Sequence, residues 1–78
     1  MRETYRYCLQ KVGEANGRAK LHLEGGVEII LKKDRVDLGV ARRAIGETVK
    51  LTVTKFPPRQ YREVRKITYC GQVIYPVN

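Results

Sequence analysis

A chain of 78 residues, 42% hydrophobic and 31% charged, has room for one small core; its size excludes a large buried substrate pocket and its composition a disordered chain. No apolar run is longer than three residues, as in Ile29-Ile30-Leu31, whereas a membrane-spanning helix needs ~20. Sixteen Lys and Arg against eight Asp and Glu give a formal charge of +8, a bias toward a polyanion or an acidic partner surface; with no spanning segment, no membrane partner is expected.

The first strand is expected over residues 3–12, where Tyr5, Tyr7 and Leu9 alternate against Arg6, Cys8 and Gln10. Residues 13–17 form a turn segment in which Asn16-Gly17 accepts positive φ at little cost. Residues 18–24 are the second strand, with Ala19, Leu21 and Leu23 facing a core and Lys20, His22 and Glu24 facing solvent. Gly25-Gly26 fits a two-residue hairpin of the primed type, leading to a third strand over 27–32 with Val27, Ile29 and Leu31 inward. Residues 34–46 read as a short helix, with Asp34 as N-cap, Asp37 in the capping-box position and Gly46 as the stop. Val36, Leu38, Val40, Ala41, Ala44 and Ile45 then share one arc, while Arg35, Gly39, Arg42 and Arg43 lie opposite. A strand through Val36, Leu38 and Val40 is the competing reading.

The clearest strand is 47–55, where Val49, Leu51 and Val53 alternate against lysine and threonine. Pro57-Pro58 interrupts it, since proline cannot donate to a ladder. Residues 61–70 return as a fifth strand, with a helix begun at the prolines as its rival. Gly71-Gln72 supplies a tight turn into Val73-Ile74-Tyr75, and Pro76 ends that edge. The order predicts a single mainly β domain over 1–78. It would be a small five- to six-stranded antiparallel barrel, OB-like or SH3-like, with one short helix at about 34–45. Val49, Leu51, Val53, Leu21, Leu23, Ile29 and Leu31 are the expected core.

The reactive residues are few. Cys8, Cys70 and His22 together fall short of the four ligands of a closed zinc site, and no metal or other cofactor is expected. No phosphate-cradling glycine loop, nucleophile elbow or metalloprotease motif occurs, so no catalysis is expected. His22 alternates with two leucines and reads as a solvent-facing strand residue. The N-terminal charge has no apolar stretch behind it, so a cytoplasmic protein with reduced thiols is expected. A Cys8–Cys70 disulfide would require the first and late strands to be neighbours.

The charge itself is localised. Residues 55–66 hold Lys55, Arg59, Arg62, Arg65 and Lys66 against Glu63 alone, half of the formal charge of the chain. Apolar alternation stops at Val53, so this hairpin should leave the core as a basic arm. Phe56 and Tyr61 flank its prolines, where they either stack on bases or clamp the turn. A second basic group is Lys32, Lys33, Arg35, Arg42 and Arg43, diluted by Asp34 and Asp37. The expected function is a small nucleic-acid-binding module for RNA or single-stranded DNA, acting through Lys55, Phe56, Arg59, Tyr61, Arg62, Arg65, Lys66, Arg42 and Arg43. The alternative is a protein-interaction module, an inhibitor or a complex subunit, docking the arm on an acidic partner protein. In that reading the Tyr5–Leu9 or Val73–Tyr75 edge could also add a strand to the partner.

Overall fold

A computed structural model describes residues 2–56 and 61–77 of the chain. It is mainly β, with six antiparallel strands in one sheet of order β3-β2-β1-β4-β5-β6 and one α-helix. The strands are β1 (Arg2–Ala15), β2 (Arg18–Leu23), β3 (Val27–Lys32), β4 (Thr48–Phe56), β5 (Tyr61–Tyr69) and β6 (Gln72–Tyr75); the helix α1 is Leu38–Arg43. The sheet is open, with β3 and β6 as its outer strands, so the closed ladder of a barrel is not formed.

β1 is the hinge of this arrangement. Arg2 to Cys8 pair with β4, whereas Leu9 to Ala15 pair with β2. The change of partner coincides with a bulge at Gln10, the extra residue between the Leu9↔Leu23 and Lys11↔His22 pairs. A bulge bends its strand and sharpens the local twist, so one strand can serve two partners. The inward faces close on a core whose largest fully buried members are Leu9, Leu21, Leu23, Val49, Ile67 and Ile74. All seven expected core residues are buried, and burying each aliphatic side chain is worth ~1.5–3 kcal/mol. Leu9, Ile67 and Ile74 join them, as do Val36, Val40, Ala41 and Ala44 from the helical segment.

Three local expectations are corrected. The helix starts later: Lys33–Arg35 is a 3-10 turn, Val36 is extended, and Asp37 is the N-cap, its Oδ1 accepting the Val40 N–H at 3.1 Å. The burial of Val36 in extended backbone displaces the cap from Asp34 by three residues. The Gly25-Gly26 loop has three residues, because Glu24 joins both positive-φ glycines in a 3-10 turn closed by the Leu23↔Val27 pair. The last hairpin turns at Cys70-Gly71, not at Gly71-Gln72: Cys70 has φ 49°, Gly71 φ 78°, and Tyr69 pairs with Gln72. Two consecutive left-handed residues suit a primed turn, whose twist matches its strands.

Candidate nucleic-acid interface

The β4–β5 hairpin carries the arm. Its described end has the rungs Thr54↔Glu63, Lys55↔Arg62 and Phe56↔Tyr61. β1 reaches only to the Arg2↔Thr54 pair, and β6 pairs only with Ile67–Tyr69. The last two rungs are therefore a ribbon with no neighbouring strand among the described residues. Arg59, between them, lies outside the described residues, as do Pro57 and Pro58.

The base of the arm is less solvent-borne than alternation implied. Arg65 is the extra residue of a bulge, because Thr52 pairs with Lys66 and Val53 with Val64. The bulge lets Val64 pack against the core and leaves Thr54 buried at 8% exposure. Arg65 folds back on this site: its Nε donates to Thr54 Oγ1 at 3.1 Å, and its Nη1 lies 3.5 Å from Glu63 Oε1. Arg65 and Lys66 are both exposed, but Arg65 is already engaged within the molecule.

The register of β1, β4 and β5 assembles a surface that no single segment of sequence reveals. On the face opposite the core, Arg6 lies beside Lys50 and Thr68, Thr4 beside Thr52 and Lys66, and Arg2 beside Thr54 and Glu63. Arg2, Arg6, Lys50 and Lys66 are exposed, and none of them has an ion pair among the described residues. The carboxylate in these rows, Glu63, is taken by Arg65. Arg6 and Lys50 are direct cross-strand neighbours of like charge, an arrangement that destabilises a sheet. This face continues into the hairpin through Lys66. Sequence reading missed Arg2, Arg6 and Lys50 because they come from segments over forty residues apart; their only early signal is that each falls on the polar set of its strand.

Arg42 and Arg43 are placed elsewhere. Arg43 Nη2 donates to Gln72 Oε1 at 3.3 Å, beside the turn that ends β5. The hairpin tip is at the other end of β5, roughly 26 Å away at 3.3 Å per residue. Arg42 pairs with Glu14, which also binds Lys33 Nζ at 2.8 Å. The hydrogen-bonded Lys33 ammonium, with Arg42 beside it, holds the Glu14 carboxyl below the usual carboxylate range. Arg35 sits over the Tyr75 ring, 6.0 Å from its centroid. Four of the five cations of this second group are therefore engaged within the molecule.

The described tyrosines Tyr5, Tyr7, Tyr69 and Tyr75 all pack against the core, and Tyr5 stacks on Tyr7 with centroids 6.2 Å apart. His22 pairs with Glu28, Nδ1 to Oε1 3.6 Å, on the solvent side of β2. Cys8 and Cys70 are free thiols, and β4 lies between their strands, so the neighbour condition for a disulfide is not met. Among the described residues no three of His, Cys, Asp and Glu converge as metal ligands, and no helix is long and apolar enough to cross a membrane. Compared with protein-family models, with curated proteins and with solved structures, the chain matches none.

Proposed function

We propose that the protein is a nucleic-acid-binding module without catalysis, taking RNA or single-stranded DNA along the outer face of β1, β4 and β5 and onto the hairpin. The observation that carries this reading is the Arg6–Lys50 pair: like charges held side by side, with no carboxylate partner among the described residues. An anionic backbone across that pair turns a local repulsion into two favourable contacts and releases counterions. Arg2, Arg6, Lys50, Lys66, Lys55, Arg59 and Arg62 meet phosphates, and Phe56 and Tyr61 offer faces on which bases stack. Arg65 positions the base of the hairpin through Thr54 and Glu63. The curled sheet, with a groove between β3 on one side and β5 and β6 on the other, supports an architecture of OB-like or SH3-like barrel type left open at one seam.

One observation favours the second reading, docking on an acidic partner protein. The outer face carries cations and threonines, while every tyrosine whose packing is described is turned to the core. Fluorescence-polarisation titration of a short RNA, a single-stranded DNA and a DNA duplex at two salt concentrations separates the two. Binding that weakens steeply with salt, and that falls on charge reversal of Arg6 and Lys50, supports the nucleic-acid reading. No binding to any of the three at low salt leaves the acidic-protein reading.

A further inference from the structure

The two outer strands of the sheet are treated differently. Beside β6, the chain at Arg35–Asp37 supplies cover: Asp37 N–H donates to Ile74 O and Val77 N–H to Arg35 O, both at 2.8 Å. β3 pairs with β2 on one side and has no backbone partner on the other among the described residues. An unguarded edge is a template for another strand, and proteins usually blunt it. Here the opposite holds: Ile30, at 55% exposure, is the most exposed large apolar side chain described, and it stands at the middle of that edge strand. A groove of about 360 Å³ runs along Glu28–Leu31, with Glu63, Val64 and Tyr75 as its far wall.

We propose that β3 is a self-association edge, on which a second copy of this chain pairs its own β3 antiparallel about a two-fold axis at Ile30. The charge pattern selects that occupant. The outward residues of β3 are Glu28, Ile30 and Lys32, paired across β2 with His22, Lys20 and Arg18. Laid antiparallel on itself with Ile30 opposite Ile30, this strand sets Glu28 against Lys32 of the second copy and Lys32 against its Glu28. On the inner side the same register sets Ile29 against Leu31. Shifting it by one residue would set outward against inward faces, so the pleat restricts the choice. The pairing also answers two features that the monomer leaves open. It covers the exposed Ile30, and it gives Lys32, whose present cross-strand neighbour is the like-charged Arg18, a share in Glu28, a half-exposed carboxylate that Lys20 and His22 hold only at 3.5 and 3.6 Å. An interface that is C2 and isologous in this way closes at two copies and does not propagate.

One strand pair buries little, near or below the ~1,000 Å² of a stable interface, so a concentration-dependent dimer of roughly micromolar affinity or weaker is expected. The test is sedimentation equilibrium of nuclease-treated protein over a wide concentration series, with circular-dichroism melts as the fold control. Ile30→Lys should raise the dimer dissociation constant by at least ~10-fold while leaving the monomer folded. Glu28→Lys and Lys32→Glu should each weaken the dimer, by placing like charges across the axis. The double variant Glu28→Lys, Lys32→Glu restores the complementary pattern in reverse and should recover affinity. A monomer throughout the series would overturn the proposal, as would a double variant that associates no better than its folded single parents.

Discussion

Two groups of cations of similar size behave differently in this molecule. The group around α1 looks basic in sequence, yet Lys33 and Arg42 share Glu14, Arg43 reaches Gln72 and Arg35 covers Tyr75. The group on the outer face of β1, β4 and β5 is scattered in sequence, yet register gathers Arg2, Arg6, Lys50 and Lys66 with no ion pair among the described residues. Formal charge therefore overstates what the first group has to offer a partner and understates the second. A local arrangement that works against stability without evident compensation is a reason to look for function, and the Arg6–Lys50 neighbours are such an arrangement.

The largest expected effect comes from reversing the outer face. Arg6→Glu, Lys50→Glu and Lys66→Glu together should weaken oligonucleotide binding by about 100-fold or more, since like charges then meet the phosphates. Arg42→Ala with Arg43→Ala should change it by no more than about fivefold, the reach of a surface pair worth up to ~1 kcal/mol. Polarisation titration of both variants checks the contrast, and equal losses would erase the distinction between the groups.

A second contrast lies in stability. Asp37→Ala removes the carboxylate that caps α1 at the Val40 N–H and should cost ~1 kcal/mol in chemical denaturation. It loosens the element that carries Arg42 and Arg43, so oligonucleotide affinity should stay the same. A matching loss of affinity would bring the α1 group back into the binding surface.

Lys50→Thr should act in the reverse sense. It removes a like-charge neighbour of Arg6 and inserts a good strand former, so stability should rise by ~0.2–1 kcal/mol. Affinity should fall, and the slope of log K against log salt should shrink by about 0.7 for a single strand or 0.9 for a duplex. Loss of stability together with unchanged affinity would show that Lys50 serves the fold and not a partner.

How much of this the sequence disclosed depends on the range of the interaction. Period-2 alternation located β2, β3 and β4 and their inward residues, because burial of one face acts on every second residue. The hairpin at Lys55–Lys66 was visible as a local run of charge. The α1 cap was misplaced because Asp34 and Asp37 offer the same chemistry, and only the tertiary burial of Val36 decides between them. The bulges at Gln10 and Arg65 leave no mark in composition, yet they set where β1 changes partner and why Arg65 turns to Thr54. The Arg6–Lys50 neighbours and the open β3 edge are products of strand order, which alternation does not encode.

The smallest expected effect, and the closest test of the contrast, is at Glu14. Its carboxyl is held below the ordinary value by Lys33 first and Arg42 after it. The folded state thus binds its proton less readily than the unfolded chain. The stability from this contact is fully present above the unfolded carboxylate value and is lost as pH falls through it to the lowered folded value. Glu14→Gln should flatten that acid limb of the stability–pH profile slightly, and added salt should shrink the difference, because the group is at the surface. The same substitution releases Lys33 and Arg42 as free cations. They stand beside Glu14, in the stretch of β1 that pairs with β2 and not with β4, so affinity for an oligonucleotide just long enough to cross β1, β4 and β5 should not change. If Glu14→Gln strengthens binding of that short ligand, the α1 group belongs to the interface and its engagement with Glu14 is a competitor of the ligand rather than a structural tie.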